Sequence, residues 1–133
     1  MAELIEGKAG GALDFGDYTL ESKTKKEDYK FEGNVYKVKT FKEITKLEKN
    51  GLFVYESVPG SKVTGLKQSE DGVSFQVEAE DDIQITLELE PGVSYDVNVG
   101  GKDAGAMTTN LGGKLSLSVE ISGAPVSVTV KKA

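Results

Sequence analysis

From Leu13 onward the apolar residues recur at every second position. Tyr29 and Phe31 bracket Lys30, and Tyr36 and Val38 bracket Lys37. The same spacing runs through Val73-Phe75-Val77, Ile83-Ile85-Leu87-Leu89 and Val93-Tyr95-Val97-Val99. It continues in Leu115-Leu117-Val119-Ile121 and Val126-Val128-Val130, always with polar residues between. A period of two is that of a strand with one face toward a core and one toward water.

The breaks between these runs carry turn chemistry. Asn50-Gly51 and Asp71-Gly72 each sit between apolar runs, and a two-residue hairpin turn needs positive φ at both central positions. "VPGS" at 58–61 and "EPGV" at 90–93 pair a proline of preset φ with a glycine. "VGGK" and "NLGGK" add two glycine-rich reversals. In "TFKEITKLEKNG", 40–51, Phe41, Ile44 and Leu47 are three apart and compatible with a short helix, but the Asn50-Gly51 turn asks for a strand on both sides. The strand is therefore the preferred reading, with Leu47 opposite Val54 and Lys46 opposite Tyr55.

Short alternating strands with regular turns predict an all-β fold: an antiparallel β-sandwich of immunoglobulin- or fibronectin-like character, with about nine to eleven strands. Residues 1–12, holding Gly7, Gly10 and Gly11, read as a flexible arm ahead of one domain over 13–133. Nine of the ten aromatics precede residue 76, which marks 60–66 as the place for a sub-boundary if there were two units. One sandwich is preferred, because about 60 residues bury a marginal core alone. "TTNLGGKLSLSVEI", 108–121, is on this reading a turn and the second arm of a hairpin, and hence scaffold.

Composition narrows the chemistry more than any motif does. The chain has no Cys, His, Trp or Arg; all 16 cationic side chains are Lys. Disulfides, thiolate metal sites and nucleophiles activated by imidazole are thus excluded. The planar, bidentate grip of guanidinium on carboxylate or phosphate is missing as well. A catalyst would have to work with Asp, Glu, Lys, Tyr, Ser or Thr, as two-carboxylate glycosidases do.

The net charge of −6 makes nucleic acid a poor partner, since phosphate neutralisation supplies most of that affinity. The charge is uneven, however. Residues 21–50 hold nine Lys against six acids, whereas 51–133 hold six Lys against twelve. That imbalance reads as a solvated mixed surface or, more sharply, as a basic patch for an acidic partner or another copy. "MAELIEGKAGGALDF" has neither a basic nor an apolar region of a secretory leader, and no run of about 18 apolar residues occurs. The expectation is a cytoplasmic protein with no membrane contact.

Two stretches, "FEGNVYKVKTFKEITKLEKNGLFVYESVPG" (31–60) and "ITLELEPGVSYDVNVGG…MTTNLGGKLSLSVEI" (85–121), resemble a family of short uncharacterised bacterial proteins, some of which are labelled endosialidase. The second stretch also resembles the fibronectin- and immunoglobulin-like modules appended to carbohydrate-active proteins. The endosialidase label implies a grip on an anionic sugar, which sialidases achieve with clustered Arg. This chain has none, lacks the Trp of the sialidase "S-x-D-x-G-x-T-W" repeat, and is too short for a multi-bladed propeller.

Few residues then stand out as a site. "EAEDD", with Glu78, Glu80, Asp81 and Asp82, is the densest carboxylate run, but it has no EF-hand spacing and is expected as a solvated gatekeeper before the apolar strand. Among Tyr18, Tyr29, Phe31, Tyr36, Phe41, Phe53 and Tyr55, core packing is the ordinary role. Tyr36 and Tyr55 are the two expected to show a ring face to a ligand, since Lys neighbours them in sequence or register. The Gly-Gly-Lys turns precede strands, so they are not phosphate loops. The expectation is a non-catalytic binding or assembly module with no cofactor and no metal. A protein or carbohydrate is the expected partner, self-association is compatible with it, and a carbohydrate-binding accessory module is the alternative.

Overall fold

The computed structural model describes residues 3–133; Met1 and Ala2 lie outside it. It is all-β, without an α-helix among the described residues. Thirteen strands run β1 (Ile5–Gly7), β2 (Leu13–Phe15), β3 (Thr24–Phe31), β4 (Asn34–Phe41), β5 (Ile44–Lys49), β6 (Leu52–Val58) and β7 (Lys62–Ser69). They continue as β8 (Gly72–Glu78), β9 (Ile83–Glu88), β10 (Ser94–Val99), β11 (Lys102–Thr108), β12 (Lys114–Val119) and β13 (Val126–Lys132). Two antiparallel sheets result, β1-β2-β7-β8-β13-β10-β11 and β12-β9-β6-β5-β4-β3, in a sandwich-like arrangement.

The core is the set of inward positions that the alternation marks. Val63, Val77, Val128, Val130 and Val97 from the first sheet join Val38, Leu47, Tyr55, Ile85, Leu87 and Val119 from the second. Every second residue of β13 and β12 is buried, as a one-faced strand requires. Tyr55 ties the sheets together: its ring meets Phe15 of β2 edge-on at 5.2 Å and Phe75 of β8 at 5.7 Å. Such T-shaped contacts set the positive ring edge against the negative ring face.

The strand count exceeds the expected nine to eleven, partly because the supposed arm is built into the sheet. Ile5–Gly7 pairs with Leu13–Phe15, and Ile5 is only 2% exposed. Gly7 is needed there for space, since a Cβ would lie 2.2 Å from the Phe31 ring. The expected sub-boundary at 60–66 falls on the end of the β6–β7 crossover and the first half of β7, and its Ser61 is completely buried.

Residues 40–51 hold no helix. β4 turns at Lys42-Glu43 into β5, and Asn50 (φ 53°) with Gly51 (φ 79°) forms the positive-φ turn into β6. The register is corrected by one residue beyond that turn. Leu47 faces Tyr55 and Lys46 faces Glu56, because Val54 is a bulge. A bulge sets two residues against one and reverses the phase of everything beyond it.

In the second half β8 pairs with β13 and β9 with β12. A two-stranded ribbon therefore passes from one sheet into the other, and β13 is inserted between β8 and β10. The reversal at 90–93 is clasped from both sides. Thr109 Oγ1 donates to the Glu90 carbonyl (2.6 Å) and accepts from Val93 N–H, and the Tyr95 hydroxyl accepts from Glu90 N–H (3.2 Å). "TTNLGGK" holds the turn between β11 and β12, where Asn110 Oδ1 accepts from both Gly112 and Lys114 N–H, leaving Leu111 95% exposed at the tip.

Candidate functional site

Neither Tyr36 nor Tyr55 presents a ring face to solvent. The Val54 bulge turns Tyr55 inward, where it has no exposed surface. Burial pushes its phenol well above the usual tyrosine range, and hydrogen bonds from Ser61 and Ser57 offset this only partly. Tyr36 keeps the phase of Val38, faces the core, and is 7% exposed. Its phenol is also raised, by partial burial first and the charge of Glu32 second. It lines a depression of about 360 Å³ together with Glu27, Lys37, Glu48 and Asn50. Period-two phase held the signal for Tyr36, since Lys37 takes the outward position.

Around Tyr55 the structure assembles a buried hydroxyl cluster that the sequence did not announce. Thr40, Thr45, Ser57 and Ser61 are all fully buried. Thr45 Oγ1 donates to the Ser61 carbonyl (2.9 Å) and accepts from Ser61 N–H (3.0 Å). Its one proton being engaged, Thr40 is the donor across their 2.8 Å contact, and Thr40 in turn accepts from Asp17 N–H. Ser61 Oγ lies 2.7 Å from the Tyr55 hydroxyl and 2.6 Å from Ser57 Oγ. Every member has a partner and no solvent reaches the cluster, so it fastens the 58–61 crossover to β4 and β5. Close approach completes that join: Gly60 N–H donates to the Lys42 carbonyl, and a Cβ at Gly60 would lie 2.0 Å from the Phe41 oxygen.

Open surface lies in three other places. The outer face of the first sheet holds a shallow trough of about 380 Å³ lined by Thr64, Gly65, Ser74, Gln76, Ser127 and Thr129, with no charged residue. A larger depression, about 530 Å³, lies where β10 and β11 meet the end of β12, and Lys102, Asp103 and Glu120 stand exposed around it. Glu80, Asp81 and Asp82 are all exposed on the β8–β9 turn, and Asp82 Oδ1 accepts from Ile121 N–H (2.7 Å). Among the described residues no three acidic side chains converge as metal ligands.

One sheet edge is open as well. All residues of β11 are exposed except the half-buried Met107, which packs against the core, so the rest of this strand overhangs the sandwich. Its backbone phase follows from two bonds. Thr109 N–H donates to the Val93 carbonyl, and Ala133 N–H to that of Ser94. Antiparallel pairs alternate, so Tyr95 and Met107 bond to each other, and the N–H and C=O groups of Ala106 and Thr108 point away from β10. From Ala104 to Thr108 this edge has no charge and no proline. An edge of the second sheet is guarded in the usual way: β3 carries Lys25, Lys26 and Lys30 and a bulge with Asp28 at φ 55°.

The half-buried Phe53 ring of β6 is covered by cations. Lys114 Nζ lies 4.7 Å and Lys46 Nζ 5.7 Å from the Phe53 ring centre. No described helix is long and apolar enough to cross a membrane. Compared with known protein families, curated proteins and solved structures, the chain matches none.

Proposed function

We propose that the protein is a non-catalytic binding and assembly module that takes an extended segment of a protein partner along the free edge of β11. The supporting observation is the contrast between two of the four sheet edges: β3 is blunted by lysines and a bulge, while β11 offers outward N–H and C=O groups at Ala106 and Thr108 with no charge beside them. An unguarded edge is a template for strand addition, in which backbone bonds give affinity and alternate side chains give selectivity. The buried, fully partnered hydroxyls and the absence of His, Cys and Arg leave little for catalysis.

A photoreactive residue at Ala106, introduced into the protein in its own cell, tests this. A discrete cross-linked product, lost when Thr108→Pro removes an outward donor, is the expected result. No product, or one indifferent to Thr108→Pro, sinks the reading.

A second reading rests on the uncharged trough. The side chains of Thr64, Ser74, Gln76, Ser127 and Thr129 suit the hydroxyls of a neutral glycan, which fits a carbohydrate-binding accessory module. Selective perturbation of these residues by neutral oligosaccharides would favour it over edge binding. As to the finer fold, we read the second half as a jelly-roll-type winding, because β13 inserts between β8 and β10. The Tyr95–Glu90 bond is of the tyrosine-corner type known from immunoglobulin-like sandwiches.

A further inference from the structure

Three lysines stand in line on the outer face of the second sheet. Lys25 of β3 is directly opposite Lys39 of β4, and Lys39 is directly opposite Lys46 of β5. Adjacent strands are about 4.8 Å apart, so the row spans about 10 Å. Like charges placed opposite each other destabilise a sheet. Among the described residues Lys39 and Lys46 have no carboxylate within 4.0 Å, and Lys25 has only the exposed Glu27 at 3.3 Å. Edge protection accounts for Lys25 and the facing Glu56 and Phe53 ring for part of Lys46, but neither accounts for Lys39, because β4 is an interior strand. Lys39 and Lys46 are half-buried, so their stems lie against the face.

We propose that this row receives the acidic β8–β9 turn of a second copy of the chain, joining copies head to tail. Charge complementarity selects that occupant. Residues 21–50 carry a net +3 within a chain of net −6, so the remainder carries −9. The turn supplies three consecutive exposed acids, Glu80, Asp81 and Asp82, against three lysines, and none of the three is in an ion pair among the described residues. Row and turn are different surfaces of one copy. Joined head to tail, the contact is heterologous and leaves a free row and a free turn at the two ends, so further copies add to it unless the rotation closes a ring. This goes beyond the edge reading and does not depend on it.

Charge exchange tests the proposal by sedimentation at low ionic strength. The wild-type protein should gain weight-average mass with concentration, past that of a dimer, and lose that gain as salt is added. Lys39→Glu with Lys46→Glu should remain monomeric, and so should Glu80→Lys with Asp81→Lys, each still showing a β-type circular dichroism spectrum. An equimolar mixture of the two double variants should associate again, since each then offers what the other lacks. A wild-type protein that stays monomeric, association that survives either double variant, or a mixture that does not associate overturns the proposal. Association lost in Thr108→Pro but kept in both charge variants would assign assembly to the β11 edge instead. A row that binds a soluble polyanion while the protein alone never associates would replace the second copy with an external acidic partner.

Discussion

The hydroxyls of Tyr55 and Ser61 lie 2.7 Å apart, on side chains that expose no surface at all. A phenol held there stays neutral far beyond the pH at which a free tyrosine ionises. The folded-state pKa lies above the unfolded value of 10.0, so this residue's stabilising contribution is complete below about pH 10 and is lost as pH rises toward the folded value. The loss should approach about 1.4 kcal/mol per pH unit above 10. Urea unfolding between neutral pH and strong alkali should therefore fall more steeply for the wild type than for Tyr55→Phe. Parallel curves would mean that the phenol ionises within the folded protein.

Within the hydroxyl cluster, rank order is the test. Thr45→Val strips a donor and an acceptor from Ser61 and the acceptor from Thr40, all buried. A cost of about 2–4 kcal/mol is expected. Thr40→Val orphans only Asp17 N–H, which is half-buried, and should cost about 1 kcal/mol. Chemical denaturation of the two variants decides this, and the reverse order would refute the donor assignment.

Two glycines separate strain from space. Gly51 has nothing within 4 Å of a virtual Cβ but sits at φ 79°, so Gly51→Val should cost about 1–2 kcal/mol through the backbone alone. Gly60 is held by the Phe41 carbonyl, a backbone atom with little room to move, and Gly60→Ala should cost about 2–4 kcal/mol. Equal denaturation midpoints would contradict the close approach.

The phase of β11 can be read by proline. Thr108→Pro removes an outward N–H and follows a residue in a strand, so stability should stay within about 0.5 kcal/mol of wild type. Met107→Pro removes a ladder bond to Tyr95 and should be clearly destabilising in a thermal melt. Similar losses in both would show that the alternation is assigned the wrong way round.

What the sequence made legible follows from what generates a pattern. Strands with one wet and one dry face, such as Leu115–Val119 and Val126–Val130, alternate because burial forces them to. Apart from the half-buried Met107, β11 has no dry face and shows no alternation in "KDAGAMT", so periodicity could not find it. The three-residue strand Ile5–Gly7 is too short to display a period and is masked by nearby glycines. Tyr55 was misplaced for a different reason. In "LFVYESV" adjacent apolar residues fit either phase, and only the bulge at Val54 decides between them. The hydroxyl cluster draws on residues up to 21 positions apart, Thr40 to Ser61, and becomes visible only when the 58–61 crossover is seated.

β13 lies in the middle of its sheet although it is the last strand of the thirteen. On the ribosome β7 and β8 emerge early, and so do β10 and β11, yet the two hairpins have no shared edge until residues 126–132 clear the exit tunnel. The apolar faces of Val73, Phe75, Tyr95 and Val97 must wait uncovered for that strand. The first sheet is consequently closed by one late insertion, and the interval before it is when a holding chaperone has most to shield.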